Sequence, residues 1–199
     1  MPAADSFGSL APAGFYVAIR VGFAFPLVEH NHLPEAWVRE YTVSGFLVHD
    51  PMMAWAYRNC GIVRSATLLA DDVQGVLGLA HGHGLIHGAA AAHVDGAGAG
   101  DRSLALFFRS DRDFTDEELD ALLVALRAAH LEHAPPSNLT AAELETLELV
   151  KNGMLMKEMA NVLGISESAI KQRLQSARRK LKARTGSQAA ARATMLGMI

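Results

Sequence analysis

The stretch MKEMANVLGISESAIKQRLQSARRKL, residues 156–181, decides the fold of the C-terminal part of this chain. Two helical patterns flank Gly164, which tolerates the positive φ of a tight turn. Ser166 is a natural N-cap for the second helix. In that helix four apolar residues recur at helical spacing and share one buried face: Ile170, Leu174, Ala177 and Leu181. The stretch therefore predicts two short helices joined by a tight turn.

The other face of the second helix is predicted to carry an exposed stripe at the same spacing. The stripe consists of Lys171, Gln175, Arg178 and Lys182. Lys and Gln side chains can bond base edges in a major groove, and Arg or Lys can pair with phosphates. A solvated helix on a bundle could carry similar charges. The turn glycine, the two helix lengths and the one-sided charge occur together here, however, as a helix-turn-helix requires. We expect double-stranded DNA to be contacted by Ser166, Ser168, Lys171, Gln172, Gln175, Arg178, Arg179 and Lys182.

Composition and charge limit the classes of protein to which this chain can belong. The 199 residues suffice for one large or two small domains, and half of them are apolar. Residues 137–199 hold ten Lys/Arg against five Asp/Glu, whereas residues 1–136 hold eight against sixteen. Only the basic part is expected to meet nucleic acid. Cys60 is the single cysteine, which excludes an internal disulfide and fits a reducing cytoplasm. No apolar run spans a membrane and no signal peptide is evident, so we expect a cytoplasmic protein with no membrane partner.

Strand and helix patterns interleave in the acidic part of the chain. Strands are predicted at 15–25, 84–94 and 104–108, the last two as a hairpin across the glycine-rich turn 95–101. Helices are predicted after Pro34, from Asp50-Pro51, weakly within 71–81, and from the Thr115/Glu118 capping box to about His130. We therefore expect an α/β sensor domain in which helices pack on a central antiparallel sheet.

A stiff linker divides the chain. No helix continues through Ala134-Pro135-Pro136-Ser137, so we assign residues 1–133 to the sensor, 134–138 to the linker and 139–199 to an all-α, four-helix DNA-binding domain. A second capping box, Thr140 and Glu143, begins the first helix of that domain. We expect Ser187 to cap the last helix, which should run from Gln188 to about Met198.

Residues 139–184 closely resemble the C-terminal domain of LuxR-type transcription regulators. The family's marker positions are occupied by Glu143, Leu147, Gly153, Glu158, Ala160, Leu163, Lys171, Lys180 and Leu181. The resemblance implies a four-helix fold, DNA binding and no enzymatic activity. It also implies a homodimer that binds a palindromic operator, with the last helix as dimer contact. RNA polymerase is a further expected partner.

The N-terminal part narrows the resemblance to quorum-sensing receptors for N-acyl-homoserine lactones. The pattern Trp37-x3-Tyr41-x8-Asp50-Pro51 matches their spacing, and Gly88 falls where they keep a glycine. The resemblance implies that Trp37 donates to the lactone carbonyl, Asp50 accepts from the ligand amide and Tyr41 lines the acyl pocket. It also implies that Pro51 and Gly88 belong to the ligand site. A neutral amphiphile of this kind requires an apolar cavity with a few fixed polar groups. We expect no other cofactor.

Each of these residues has a plainer interpretation. Trp37 and Tyr41 could be core aromatics, and Asp50-Pro51 could be only a helix cap. Their joint spacing upstream of this DNA-binding domain favours the ligand site. The family's second tryptophan is absent near residues 64–65, and Leu33 stands where a tyrosine is frequent. We therefore expect weaker affinity, or a broader choice of lactones, than in better-matched receptors.

Four alternatives compete with this interpretation. His81, His83, His87 and His93 suggest a zinc site and a hydrolytic enzyme, but no Cys or carboxylate completes the set, so we assign no metal ligand. The basic helix also resembles the promoter-binding domain of sigma factors, which would need a basic, helical N-terminal domain. A response regulator would need an acidic phosphorylation pocket, which we cannot place. A ligand-independent LuxR-type regulator is the fourth alternative.

Overall fold

The structure is a computed structural model, and it describes residues 7–22, 25–95, 102–136 and 138–199. The chain divides into two compact units, Met1–His133 and Ala134–Ile199. Most of the predicted turn at 95–101, part of the predicted strand at 15–25, and Ser137 of the linker lie outside the described residues. Within the described ranges, no helix is both long enough and apolar enough to cross a membrane.

The central antiparallel sheet predicted for the first unit is confirmed, and it has five strands. The strands are β1 (Gly14–Val21), β2 (Pro26–Asn31), β3 (Gly61–Arg64), β4 (His87–Val94) and β5 (Arg102–Arg109). Their spatial order is β2-β1-β5-β4-β3. The predicted hairpin is confirmed, since β4 and β5 pair with Ala91 opposite Ala105. The predicted strand at 15–25 is wrong at Gly22 and Phe25, which are described and lie outside any strand, and residues 26–31 pair back against β1. β2 and β3 were not predicted.

Helices cover both faces of this sheet. On one face lie α1 (Glu35–Val43), α2 (Pro51–Arg58) and α3 (Val76–His81), with 3₁₀ turns at Phe46–Val48 and Ser65–Asp71. On the other face lie α4 (Asp116–Glu132) and a helical turn at residues 7–10. The fold class predicted for this unit is confirmed.

Local capping residues set where these helices begin. Asp50 caps α2, with Pro51 at the first helical position, and the Thr115/Glu118 capping box begins α4. The weak helix predicted at 71–81 begins later, at Val76, after Gly75 in the left-handed conformation. The Asp72 carboxylate still accepts from the first backbone N–H groups of α3, at 2.8 and 3.0 Å. An acidic side chain therefore holds this helix start, although Asp72 is not the N-cap itself.

The central strands are buried on both faces. Ala90 and Leu106 lie in the core under α1–α3, whereas Ala89 and Phe107 lie in the core under α4. All four residues of the run 89–92 are alanine and at most 1% exposed. Small side chains at these positions let helices approach the sheet closely on both sides, which explains a strand made largely of alanine.

The second unit contains four helices, as predicted. They are α5 (Ala141–Lys151), α6 (Met156–Leu163), α7 (Glu167–Lys180) and α8 (Gly186–Met195). Gly164 has φ +62° and ends α6, and Ser166 caps α7 by accepting from the Ala169 N–H. The prediction for α8 was wrong at its start: Thr185, not Ser187, is the N-cap and accepts from Gln188.

A buried ion pair joins α5 to α7. Lys180 Nζ lies 2.8 and 2.7 Å from the two carboxylate oxygens of Glu143, which is 5% exposed. Burial acts to raise the pKa of Glu143, but the Lys180 ammonium and the Thr140 backbone N–H outweigh it and lower the pKa to about 2. Two of the marker residues thus meet across 37 positions of sequence.

Candidate functional site

A cavity of about 580 Å³ opens between the sheet and helices α1–α3. Its wall is mostly apolar. The apolar side chains that line it include Leu33, Leu47, Met52, Met53, Val76, Leu77, Leu106 and Phe108. Polar groups enter the wall at few points, and Trp37, Tyr41 and Asp50 are among them. The structure therefore brings three of the five predicted ligand residues to one cavity.

The two aromatic residues of α1 pack together in this wall. The rings of Trp37 and Tyr41 meet edge to face at 5.5 Å, and Phe46 lies 6.0 Å from each ring. Trp37 is 3% exposed, so its indole is fixed in the core while it borders the cavity. Within the described residues, its N–H has no hydrogen-bond acceptor. An acceptor on a bound ligand would satisfy that donor.

Asp50 is the polar centre of the cavity wall. Its Oδ1 accepts from the backbone N–H groups of Met52 and Met53 at 2.8 and 3.3 Å. Its Oδ2 accepts from the Tyr41 hydroxyl at 2.9 Å. Burial raises the pKa of Asp50 above its ordinary value, against the lowering effect of these donors. Burial and the neighbouring Asp50 also raise the pKa of Tyr41, so its hydroxyl stays protonated and donates.

The other two predicted ligand residues lie outside the cavity wall. Pro51 is buried at the start of α2 and lines a different depression, with His49 and Trp55 among its neighbours. Gly88 donates its N–H to Ser65 Oγ at 3.0 Å. A Cβ built at Gly88 would lie 3.0 Å from Ser65 Cβ and 3.1 Å from Met52 Cε. A Cβ here would crowd both side chains, so the glycine favours the close approach of the elements that carry the cavity wall.

Three polar residues on the sheet side of the cavity were missed by sequence analysis. Tyr16, Glu29 and Asn31 line it from β1 and β2. Burial and a hydrogen bond to the Glu29 carboxylate raise the pKa of Tyr16. Recognising β2 would have placed Glu29 and Asn31 on one side of a strand. The described lining contains two carboxylates, of Glu29 and Asp50, and no Lys, Arg or His, so the cavity favours a neutral ligand over an anion.

The histidines of the zinc alternative do not converge. His83 Nε2 pairs with Glu40 at 2.8 Å, and His81 lies at the end of α3. In the described part of the chain, His93 alone among the four joins a possible metal-binding group. Its companions are Asp95 and His130, which were not predicted.

The predicted DNA-contacting residues lie mostly on the exposed side of α7. Lys171, Gln175, Arg178 and Arg179 border one shallow groove. Ser168 and Gln172 are exposed beside it, and Ser166 is exposed while its hydroxyl caps the helix. The predicted stripe is wrong at Lys182, which follows the helix end and has φ +51°.

Arg178 has a structural partner that sequence analysis did not anticipate. It is only partly exposed and donates to the backbone carbonyl of Arg184. On α8, the helix expected to form the dimer contact, Ala190 is 3% exposed and packs in the core of its own unit. Thr194 and Met195 remain exposed on α8.

Two family models match the chain. Residues 24–132 match the autoinducer binding domain, and residues 137–193 match the bacterial regulatory proteins of the luxR family. The first match alone covers more than half of the 199 residues. The two matches together account for both units.

Individual relatives agree with these matches. The chain is 26% identical over 193 residues to the transcriptional activator protein AhyR of Aeromonas hydrophila, with 87% of this chain and 74% of AhyR covered. The same values hold for AsaR of Aeromonas salmonicida. The structure of SdiA in complex with octanoyl-rac-glycerol is similar at a TM-score of 0.50 and 22% identity. That match covers 96% of this chain and 87% of the SdiA chain, and it supports the fold.

Proposed function

The chain belongs to the autoinducer-binding transcription regulators of the LuxR family, and from that premise we propose that its autoinducer is an N-acyl-homoserine lactone. The proposed ligand lies in the cavity under α1–α3. The observation that carries the proposal is the cavity itself, with its apolar wall and the Trp37, Tyr41 and Asp50 group. Its volume of about 580 Å³ falls inside the ~300–1,000 Å³ typical of small-molecule sites.

Asp50 has one acceptor position to spare for a ligand. A carboxylate offers about four lone-pair positions, and three of them take the Met52, Met53 and Tyr41 donors. The fourth, on Oδ2, suits the amide N–H of an acyl-homoserine lactone. The free indole N–H of Trp37 suits the lactone carbonyl. A lactone is neutral, which agrees with a described lining that has acidic groups and no basic ones.

Titration of the full chain with lactones of increasing acyl length tests this proposal. Members of the panel that bind should raise the melting temperature and change the affinity for DNA. Octanoyl glycerol should be included, because SdiA forms a complex with that neutral amphiphile. If no lactone changes either quantity, the chain is better described as a ligand-independent regulator of this family.

For DNA recognition we propose that Lys171 and Gln175 contact bases from α7. Both side chains are exposed on the groove-lining side of the helix. Arg179 and Lys182 would hold phosphates, from the helix and from the turn that follows it. Arg178 would act chiefly by holding that turn through the Arg184 carbonyl. Ser166, Ser168 and Gln172 lie on or beside the start of the same helix, where backbone phosphates pass.

We further propose a homodimer on a palindromic operator, with RNA polymerase as a partner in the cytoplasm. One recognition helix contacts too few bases for useful specificity, whereas two related by a twofold axis read both half-sites. Met195 is 61% exposed on α8 and offers an apolar contact. Met195→Asp should shift the sedimentation of the protein–DNA complex toward a monomer, and Ser187→Asp on the same helix serves as control. A wild-type protein that stays monomeric on DNA would defeat the proposal.

A further inference from the structure

A cluster of ionisable side chains lies between β4 and the end of α4. His93 is near the end of β4, Asp95 follows that strand, and His130 lies in the last turn of α4. One ligand atom from each lies within 4.8 Å of the other two. The rings of His93 and His130 are nearly perpendicular, with centroids 4.8 Å apart. Because side chains alternate along β4, His93 shares the α4 side with Ala89 and Ala91, and the autoinducer cavity lies on the other side.

Two of the three side chains are already oriented by other partners. His130 Nδ1 lies 2.7 Å from Ser103 Oγ, and Asp95 Oδ2 lies 2.8 Å from an Arg20 guanidinium nitrogen. These contacts leave His130 Nε2 and Asp95 Oδ1 facing each other at 3.0 Å. Metal-binding histidines and carboxylates characteristically have their second polar atom held in this way.

The remaining nitrogen of His130 faces the Asp95 carboxylate. His130 is completely buried, and its Nε2 lies 3.0 Å from Asp95 Oδ1 in an ion pair whose alignment falls short of a well-formed hydrogen bond. A poorly satisfied buried nitrogen that faces a carboxylate oxygen requires an explanation, of which an ion bound by both is one. Two ligands each about 2.1 Å from zinc lie roughly 3.0–3.4 Å apart at bond angles of 90–109°. The observed 3.0 Å separation fits that geometry.

We propose that His93, Asp95 and His130 bind one divalent transition-metal ion, with Zn²⁺ as the representative. Two imidazoles and one carboxylate suit Zn²⁺, Co²⁺ or Fe²⁺ better than Mg²⁺ or Ca²⁺, which prefer oxygen ligands. His93 is half-buried, so a modest rotation of its ring can bring a nitrogen to the ion, and water can fill the remaining position. Such a site would fasten the end of α4 to β4.

One neighbouring charge affects the expected strength of binding. The guanidinium of Arg20 opposes a second cation nearby, although it also orients Asp95. The site is therefore expected to bind less tightly than a closed structural zinc site, which has four protein ligands and typically several thiolates.

The test is titration of the full chain, freed of metal by a chelator, with Zn²⁺ in a calorimeter and with Co²⁺ in a visible spectrometer. The wild-type chain should bind one equivalent and show cobalt ligand-field bands. His93→Ala should weaken binding at least tenfold, and Asp95→Asn should do the same. His93 is partly exposed, so its replacement is the variant expected to keep the fold, which circular dichroism would verify.

Matched controls come from histidines outside the cluster. His87→Ala removes a half-buried imidazole from the same strand, and His30→Ala/His32→Ala removes another close pair, with ring centroids 6.5 Å apart. Neither change should affect metal binding. The proposal is overturned if the wild-type chain binds no stoichiometric metal, if His93→Ala binds as tightly, or if the His30/His32 variant abolishes binding. Lactone affinity is measured on the same samples, so failure here is distinct from failure of the proposed ligand.

Discussion

Replacing Asp50 by asparagine tests the ligand hypothesis with little change of shape. The carboxylate makes three hydrogen bonds, two to the start of α2 and one to Tyr41, and it is 4% exposed. The amide of Asp50→Asn can keep the two capping bonds through its oxygen. Its NH₂ group then replaces Oδ2 and can donate to the Tyr41 hydroxyl. The amide N–H of the lactone would meet another donor instead of an acceptor.

The size of the effect follows from the lost acceptor. A buried donor left without a partner costs about 1–3 kcal/mol. We expect lactone affinity to fall by roughly 5- to 150-fold, since each 1.4 kcal/mol is about tenfold. If the amide flips, its oxygen serves the ligand but the cap is lost, which would cost about 0.5–2 kcal/mol of stability. Calorimetry with the ligand and thermal melting without it separate these two outcomes.

Tyr41→Phe is the matched control. It removes one donor from Oδ2, keeps the aromatic packing against Trp37 and leaves the acceptor free for the ligand. Stability should fall by about 0.5–1.5 kcal/mol, with lactone affinity changed less than in Asp50→Asn. Unchanged affinity in Asp50→Asn, with the cap intact, would refute the reasoning and leave Asp50 as a helix cap only.

The pH dependence of the same site gives a second readout. Burial raises the pKa of Asp50 above 3.8. An acid with a raised folded-state pKa binds more protons when folded, so its contribution to stability is present below pH 3.8 and is lost as the pH rises through the raised pKa. Protonation also occupies the acceptor on the carboxyl. Lactone affinity of the wild type should therefore fall on acidification through the raised pKa, while that of Asp50→Asn stays flat.

Three further predictions concern other parts of the chain. Gln175→Ala should reduce the free energy of DNA binding by about 1–3 kcal/mol and relax the base preference, whereas Arg179→Ala should weaken binding to all DNA sequences alike and reduce the salt dependence of binding by about one ion. Footprinting measures the first effect and salt titration the second, and an unchanged base preference in Gln175→Ala would remove Gln175 from the base contacts. Gly88→Ala should destabilise the first unit by about 1–3 kcal/mol, because the new Cβ would lie 3.0 Å from Ser65 Cβ. An unchanged melting temperature of this variant would contradict the prediction. Lys180→Met should cost the second unit roughly 3–5 kcal/mol by leaving Glu143 buried and unpaired. In the wild type the stabilisation by the Glu143–Lys180 ion pair is present above pH 4.5 and is lost as the pH falls through about 2. If the stability of Lys180→Met depends on acid pH in the same way, the ion pair does not supply that stabilisation.

Sequence alone was most informative where a structure depends on residues three or four positions apart. The Thr115/Glu118 and Thr140/Glu143 capping boxes, the Asp50 cap and the Gly164 turn were all predicted correctly. Such motifs satisfy the free backbone groups at a helix end with side chains of the same segment. The prediction of the helix-turn-helix rested on these local motifs and on the spacing of apolar residues in α7.

The missed strands show the opposite case. β2 and β3 are the two edge strands, and their partly exposed side chains give no clear alternation of buried and exposed positions. A short strand of this kind exists because a neighbour pairs with it, as β4 pairs with β3 by placing Ala89 opposite Arg64. Missing β2 also hid Glu29 and Asn31, which line the cavity.

The sequence by itself determined the helix starts capped by Asp50, Thr115, Thr140 and Ser166, and it indicated a two-part organisation. The spacing of Trp37, Tyr41 and Asp50 carried the resemblance to the sensor's family. Only the tertiary structure decided which groups meet across long separations. His93 and His130 are 37 positions apart and adjoin because α4 packs on β4. Gly88 supports the cavity wall rather than lining it, since its neighbours come from other elements. Contacts of this kind depend on how elements pack, and no local pattern of residues encodes them.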